Sequence, residues 1–391
     1  MGTGSRVVQI AATWREKARP LQPDLRDIAF RYTNIGFVFV VIGFVVQYTH
    51  QSPSLIFSFN LLAVFPSSVL LGVGLKSMGH RYGPVIQAVL YMTFGNAVQL
   101  ITSVILLKNR QIKLLQTSLI GGILSNMHLM LGIGFLLGGV SRMEQFYNLT
   151  IAQVYSSLLL PSVTGLVLPT ATEKLAKPVP NGIIGQSRTI AIIFLLIYLF
   201  LLFFQLKSHS AVYMAPSQKT PRRKRAPRAA VDRIAQAFFH GSKSPSERHL
   251  PRYLSCLLAT LSTTLIGFNT FFATNSLEGL LNTTSLTTSF VGIVLLPIFT
   301  NDLEPIKAAM NDDMDMTLQA TVGKCVQAVL FVIPVIILLG WMMGIDEMKL
   351  SFDGFEVSAL FASAIYISNL IMNGKSFWQV FPHKPMLWHK C

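Results

Sequence analysis

The chain has 391 residues, of which 51% are hydrophobic and 13% are charged, and its mean hydropathy is +0.52. A water-soluble domain of this composition would be hard to keep in solution, so lipid is the expected solvent for most of the chain. The net charge of +15 suggests nucleic-acid binding at first sight. The excess basic charge is concentrated in one loop, however, and no nucleic-acid partner is expected.

Ten apolar stretches are long enough to cross a bilayer as helices, because a span needs about 20 mostly apolar residues. Their predicted limits are 33–49, 55–75, 84–107, 115–138, 147–170, 188–206, 253–273, 286–309, 317–343 and 355–372. The predicted fold class is therefore an all-α polytopic membrane protein with about ten transmembrane helices. Residues 1–32 contain six basic residues and no apolar run, so they are interpreted as a cytosolic tail and not as a cleavable signal peptide.

A long polar loop, residues 207–252, contains eleven Lys or Arg residues against two acidic ones. Cytosolic loops of membrane proteins collect such charge, so this loop is expected to be cytosolic, in solvent or against anionic lipid. With ten spans, the amino terminus then lies on the cytosolic side too. Lys108, Arg110 and Lys113 fall on the opposite side and are a weak counterargument.

Three acidic residues, Asp312, Asp313 and Asp315, follow the eighth span in a short cytosolic connection. A solvated turn is the favoured interpretation, and attraction of cations to the cytosolic mouth is the alternative. The three cysteines are far apart, so they predict neither a disulfide framework nor a metal site.

Two places pair polar residues inside a span with glycine or proline, a pattern that is typical of transporter binding sites. The first is Gly95–Gln99 followed by Gly121–Asn126, and the second is Thr300–Pro305 followed by Gly323–Gln327. These motifs begin in spans three and eight, so an odd number of crossings separates them. The helices that carry them are therefore predicted to run in opposite directions, as in an inverted-topology repeat.

The two motifs align residue by residue. Asn96 matches Asn301 and Gln99 matches Glu304. Ser125 matches Gln327 when the second link is three residues shorter. Glu304 is the strongest functional candidate, because an ionisable side chain at membrane depth is costly and is by default a functional hypothesis. The alternative is that Glu304 lies near a helix end and reaches the membrane interface.

Six segments carry a resemblance to a known family: Gly95–Val98, Ser118–Asn126, Gly292–Ile298, Val329–Pro334, Phe355–Val357 and Asn373–Ser376. In these segments the chain resembles the calcium/proton exchangers of the calcium/cation antiporter superfamily, particularly the vacuolar type of fungi and plants. The resemblance covers roughly residues 30–378, apart from the basic loop.

The resemblance implies a leading helix plus two inverted five-helix halves that exchange cytosolic calcium for lumenal protons. Each half of the family carries a Gly-Asn-Ala-X-Glu type motif, and the two glutamates bind either the metal or protons. The cation ligands expected here are Asn96, Gln99, Ser125, Asn301, Asp302, Glu304 and Gln327. Among them, Glu304, Asn96 and Asn301 are the principal metal ligands and Glu304 is the proton-coupling residue, since calcium needs several hard oxygen ligands.

This sequence departs from the family pattern at the site itself. Gln99 replaces the first glutamate, and an amide cannot carry a proton. Thr300 and Pro305 replace a glycine and a histidine, and Lys324 and Cys325 replace the usual serines. A lysine at that depth would oppose a nearby cation unless it reaches outward or pairs with Asp302 or Glu304.

The domain organisation follows from these assignments, with the second repeat expected to lack its last helix because no eleventh apolar stretch follows Trp378. The predicted units are a tail (1–32), a leading helix (33–49), the first repeat (50–206), the basic loop (207–252), the incomplete second repeat (253–378) and a divergent tail (379–391).

Two functions remain open. The first is a calcium or divalent cation/proton antiporter of an acidic organelle, placed in the vacuolar membrane by the resemblance, with altered coupling as one outcome of Gln99. The second is a transport-inactive paralogue that regulates or assembles with an intact exchanger. The expected partners are calcium or a related cation, protons and lipid, and assembly into a homo-oligomer is left open. No cofactor is expected beyond the transported ions, and no nucleophile and base suggest an enzyme.

Overall fold

The computed structural model of the chain describes residues 33–82, 94–176, 182–209, 217–221, 252–301 and 303–377. The first helices are α1 (Thr33–Tyr48), α2 (Pro53–Tyr82), α3 (Ala97–Lys108), α4 (Ile112–Ser141), α5 (Leu149–Leu175) and α6 (Gly182–Ser208). The later helices are α7 (Arg252–Asn275), α8 (Leu277–Thr283), α9 (Thr288–Thr300), α10 (Glu304–Met310), α11 (Met314–Met342) and α12 (Gly354–Ile371). Two short strands are β1 (Glu144–Phe146) and β2 (Lys375–Phe377).

The described helices account for most of the ten predicted spans, and the first ten residues of the predicted span 84–107 lie outside the described residues. Seven of the helices are long and apolar enough to cross a membrane, namely α2, α4, α5, α6, α7, α11 and α12. The pair α9 and α10 forms an eighth candidate span, and α1 and α3 contain shorter apolar helices. The prediction of an all-α polytopic membrane protein is confirmed. The predicted span 286–309 is not one continuous helix, because α9 and α10 meet at an angle of 55°.

Side-chain caps fix where several helices begin. The Asn148 side chain accepts hydrogen bonds from the Thr150 and Ile151 amides at the start of α5. Asp313 does the same for Met316 at the start of α11, and Asp353 for Phe355 at the start of α12. Each cap satisfies amides that the first turn of a helix leaves without partners.

Helix packing gives the molecule one large apolar core. α2 lies along α1 and α7, and the approach to α7 is close, because a Cβ on Gly74 would lie 3.1 Å from the Ala259 amide nitrogen. The core is formed by α4, α5, α6, α11 and α12, and α11 is the most enclosed of the candidate spans. Short π-helical stretches lie within α4 (Ser125–Met130) and α11 (Gln319–Gly323 and Ala328–Val332).

The connections gather on two opposite faces. On one face β1 and β2 pair as an antiparallel ribbon, with Gln145 opposite Ser376. On the other face, ion pairs tie the connection between α11 and α12 to the ends of α5 and α6. Arg188 lies 2.7 Å from Asp346, and Lys349 lies 2.6 Å from Glu173. The ribbon was not predicted from the sequence.

Two turns occupy corresponding places in the two predicted repeats and have the same backbone geometry. Asn109–Gln111 joins α3 to α4, and Asn311–Asp313 joins α10 to α11 on the opposite face. The central residues, Arg110 and Asp312, both have left-handed backbone conformations, with φ of 56° and 63°. The amides of the three residues bond to carbonyls three to five residues earlier in the same order in both turns. The same hydrogen bonds and a central residue of positive φ also occur at Thr49–Gln51 after α1 and at Met343–Ile345 after α11, so this turn is a common way in which helices of this protein end.

Candidate cation-binding site

Both predicted motifs lie at helix ends within predicted spans. Asn96 precedes α3, and Asn301 follows α9 with an extended ψ of 148°. Both side chains are almost fully buried, with exposed fractions of 1% and 4%. Interrupted helices leave backbone and side-chain oxygens available at membrane depth, which is tolerated where they are enclosed by protein or line a cavity.

Each asparagine donates a hydrogen bond to the opposite repeat. Asn96 Nδ2 lies 3.3 Å from Gln327 Oε1 and 3.4 Å from the Lys324 carbonyl oxygen. Asn301 Nδ2 lies 2.7 Å from Ser125 Oγ. Since Ser125 and Gln327 are the residues that the sequence alignment pairs, the two contacts are equivalent under the repeat.

Asn126 extends this arrangement. Its Nδ2 donates to Asn301 Oδ1 over 3.1 Å and to the Gly122 carbonyl over 2.9 Å. The sequence analysis included Asn126 in its motif but not among the ligands. The signal that could have identified it is its place in the Gly121–Asn126 segment, directly beside Ser125.

One oxygen is left over in this network. Asn96 Oδ1 is buried and accepts no hydrogen bond from the described residues. A buried amide oxygen without a partner costs free energy, typically about 1–3 kcal/mol. An oxygen of this kind is also a suitable ligand for calcium.

Glu304 begins α10 and lines a cavity of about 40 Å³ between the helix interruption and α11. The other residues lining it are Gly95, Met316, Gln319, Ala320, Lys324 and Gln327. This volume holds one or a few water molecules. The cavity therefore brings Glu304 and Gln327 together, from two different elements of the second repeat, against Gly95 of the first.

Gln99 does not line the cavity that contains Glu304. Its Nε2 lies 3.5 Å from the Leu119 carbonyl oxygen, and a Cβ on Gly122 would lie 2.6 Å from the same nitrogen. Gln99 is thus packed on α4 and is not among the residues that line the cavity with Glu304. Asp302 was also predicted as a ligand and lies outside the described residues.

Lys324 and Gln319 are cavity residues that the predicted ligand set did not include. Lys324 is buried, with an exposed fraction of 8%. Together with Gln327 they recur on one face of α11 at the spacing of one to two helical turns. Within the described part of the chain, no group of three or more His, Cys, Asp or Glu side chains could hold a metal ion. The side-chain oxygens that line the cavity are those of the Glu304 carboxylate and of the Gln319 and Gln327 amides.

The interpretation of Asp312 as part of a solvated turn is wrong. Asp312 has an exposed fraction of 4%, and its carboxylate lies 3.4 Å from Arg142 Nε. Gln145 Nε2 donates to the same carboxylate over 2.9 Å. The partners come from the connection between α4 and α5, which is far from Asp312 in the sequence.

Comparisons with known proteins agree with this architecture. The family described as "Sodium/calcium exchanger protein" matches residues 53–207 and 254–381. The vacuolar calcium ion transporter of Schizosaccharomyces pombe is 29% identical over 354 residues, covering 89% of this chain and 80% of its own length. The Ca²⁺/H⁺ antiporter of Aphanothece halophytica is 30% identical over 345 residues, covering 87% and 90%.

Solved structures share the fold. The Ca²⁺/H⁺ antiporter protein YfkE superimposes with a TM-score of 0.68 at 21% identity, covering 88% of this chain and 94% of YfkE. The H⁺/Ca²⁺ exchanger CAX gives a TM-score of 0.58 at 13% identity, covering 96% and 85%. Because the family pattern matches both repeats and leaves out most of the basic loop, this chain belongs to the sodium/calcium exchanger protein family.

Proposed function

We propose that this protein is a calcium/proton antiporter that moves cytosolic calcium into an acidic organelle. The observation that carries the proposal is the cavity that Glu304 shares with Gly95 of the first repeat and with Gln327, whose Oε1 accepts a hydrogen bond from Asn96 of the first repeat. Relatives named as calcium ion transporters, Ca²⁺/H⁺ antiporters and cation/proton exchangers support the choice of ions.

Glu304 is the proposed proton-coupling residue. A carboxylate can bind either a cation or a proton, and calcium favours hard oxygen ligands. Asn96, Asn301, Ser125 and Gln327 are the proposed neutral ligands, with Asp302 and Gln99 as the remaining members of the set. The buried Oδ1 of Asn96 supports this assignment, because it has no hydrogen-bond donor among the described residues.

The proposed mechanism is alternating access, in which one repeat moves against the other around the site. The bonds from Asn96 to Gln327 and from Asn301 to Ser125 both cross between repeats. They connect the interrupted helices to α11 and α4, so a movement of one repeat changes the oxygens that surround the cavity. Ion binding and repeat movement are coupled through these contacts.

The proposed location is the vacuolar membrane, with the amino terminus in the cytosol. The concentration of basic charge in residues 207–252 supports this orientation. The relatives named as vacuolar transporters support the organelle. In this orientation the ribbon and the turn at Asn311–Asp313 face the cytosol.

A transport assay in sealed vesicles with an imposed proton gradient tests the function. The parent protein is expected to take up calcium, and Glu304→Gln is expected to reduce uptake to background, because the amide cannot exchange a proton for the cation. Glu278→Gln is the matched control, since Glu278 is exposed in α8, outside the cavity, and uptake should be unchanged.

Calcium uptake by Glu304→Gln at the parental rate would refute the role of Glu304. No uptake by the parent, and none after Gln99→Glu, would refute the antiporter and favour the transport-inactive paralogue. Both outcomes require that each variant reaches the membrane in equal amount, which immunoblotting of the same vesicles establishes.

A further inference from the structure

A short segment of the basic loop, residues 217–221, is docked on the cytosolic-side face of the second repeat. We call the contact of this segment with Arg142 and Asp312 the clasp. The Thr220 amide donates to Asp312 Oδ2 over 2.6 Å, and the Thr220 carbonyl accepts from Arg142 Nε over 3.1 Å. The backbone of this one threonine is therefore held on both sides.

The clasp is buried and electrostatically matched. The Arg142 and Asp312 side chains have exposed fractions of 7% and 5%, and Arg142 Nη1 also donates to the Met310 carbonyl over 3.1 Å. Lys219 Nζ donates to the Asp312 carbonyl over 2.7 Å. Hydrogen bonds that involve a charged donor or acceptor are stronger than those between neutral groups. The docked segment is therefore held by specific contacts to the helical core of the protein.

The Thr220 side chain, unlike its backbone, makes no hydrogen bond to the described residues, and its Oγ1 is buried. The neighbouring side chains of Gln218, Lys219 and Pro221 are exposed. In the sequence Thr220 is followed by proline and then by Arg222 and Arg223, which lie outside the described residues. A threonine followed by proline and basic residues is the pattern that proline-directed protein kinases phosphorylate.

From these observations we infer that Thr220 is phosphorylated when residues 217–221 undock transiently, and that the phosphate then keeps the clasp open. The γ-phosphoryl group of ATP is transferred to Thr220 Oγ1, the hydroxyl proton passes to the base of a proline-directed kinase, and ADP leaves. The phosphate adds a charge of about −1.5 to −2 and three oxygens. The inference rests on the cytosolic orientation given under the proposed function, because ATP and the kinase are cytosolic.

A phosphate on Thr220 is incompatible with the docked segment for two reasons. Its oxygens would replace a buried hydroxyl that has no hydrogen-bond partner among the described residues, so they would lack donors there. Its charge would lie next to the Asp312 carboxylate, which already accepts the Thr220 amide, while Arg142 is engaged by Asp312, Met310 and Thr220. Like charges at short distance in a buried site repel strongly, so the modified segment stays undocked.

The consequence concerns contacts between repeats. Arg142 and Gln145 belong to the connection between α4 and α5 in the first repeat, and Asp312 belongs to the second. Release of residues 217–221 removes the bonds from Thr220 and Lys219 but leaves the bonds of Arg142 and Gln145 to Asp312. Phosphorylation thus loosens the cytosolic face without dismantling it.

The test uses the full-length protein in lipid nanodiscs with a proline-directed kinase and ATP. Mass spectrometry is expected to locate phosphate on Thr220. Hydrogen exchange in peptides covering residues 217–221 is expected to become roughly tenfold faster or more after phosphorylation, because protecting backbone hydrogen bonds are lost. Thr220→Val is the matched control, since it keeps the shape and the backbone contacts but removes the acceptor hydroxyl, and its exchange should not respond to kinase and ATP.

Two results would overturn the inference. One is a failure of the kinase to modify Thr220 in the intact protein while a peptide of the same sequence is modified. The other is complete phosphorylation of Thr220 with unchanged exchange of residues 217–221. Neither readout depends on transport, so failure of the antiporter function would not be mistaken for failure of the clasp.

Discussion

The turns at Asn109–Gln111 and Asn311–Asp313 have the same backbone hydrogen bonds but opposite surroundings. Arg110 is exposed and lies 3.8 Å from an exposed Glu347, whereas Asp312 is buried against Arg142 and Gln145. The two turns therefore share backbone geometry while their side chains differ. One face of the protein is braced by a buried ion pair, and the opposite face is held at the equivalent turn by a contact that solvent screens.

The same divergence occurs at the site. In the first repeat the aligned positions are Gln99 and Gly122, which are neutral, and in the second they are Glu304 and Lys324, which carry opposite charges. The second repeat thus contributes both charges that line the cavity among the described residues. Two inverted repeats can therefore contribute different groups to one site: the first contributes neutral groups, and the second contributes the charged side chains.

The largest expected difference between the repeats is at the two turns. Asp312→Ala leaves Arg142 buried without its carboxylate and should lower the free energy of unfolding by about 3–5 kcal/mol. Arg110→Ala, at the equivalent position, removes an exposed pair and should have no measurable effect. Thermal unfolding of the purified variants in detergent measures both. Equal losses of stability would show that the two turns are energetically alike and would contradict the comparison.

A smaller difference is expected at the aligned glycines Gly121 and Gly323. A Cβ on Gly121 would lie 2.5 Å from Ile293 Cα, which is backbone, whereas one on Gly323 would lie 2.8 Å from the ring of Tyr155. Gly121→Ala should cost about 1–3 kcal/mol, because two helices must separate. Gly323→Ala should cost less, because a side chain can shift.

Thermal unfolding again measures the glycine variants. Gly132→Ala is the control on the same helix as Gly121, since a Cβ there meets no atom within 4 Å. If Gly323→Ala were as destabilising as Gly121→Ala, the ring of Tyr155 would be as rigid as the backbone of Ile293.

The smallest expected effect concerns the charge of Lys324. Lys324→Ser should lower the apparent KM for calcium roughly tenfold, equivalent to about 1.4 kcal/mol, because a buried ammonium in the cavity opposes a divalent cation. Calcium uptake at graded concentrations in vesicles measures the change. Lys113→Ser is the control, because Lys113 is exposed and remote from the cavity-lining residues. An unchanged or raised KM in Lys324→Ser would show that the ammonium does not compete with calcium.

The sequence was sufficient for the helices and for the relation between the repeats. Long apolar runs report spans directly. The correspondence of Asn96 with Asn301, and of Ser125 with Gln327, follows from polar residues at matching positions and agrees with the two contacts between repeats. The family match then confirmed the resemblance to cation exchangers that the sequence motifs suggested.

The features that the sequence did not predict depend on contacts between residues that are far apart in the chain. Asp312 looked solvated because its partner Arg142 is about 170 positions away, and no local pattern marks a buried pair of this kind. The bend between α9 and α10 was missed because the polar residues at 300–304 interrupt an apolar run only briefly. Gln99 was placed with Glu304 by alignment, but its amide packs on α4. The assignment of ligands stays a prediction.

The ribbon of β1 and β2 imposes an order on assembly. Glu144 and Lys375, which form an ion pair diagonally across it, are 231 residues apart in the chain. During synthesis β1 must therefore wait, unpaired, until the last described helix, α12, has entered the membrane and β2 has followed it. The pairing is a late closure step that joins the two repeats after both are inserted, so a chain interrupted before residue 375 would carry an unpaired strand available to quality-control factors.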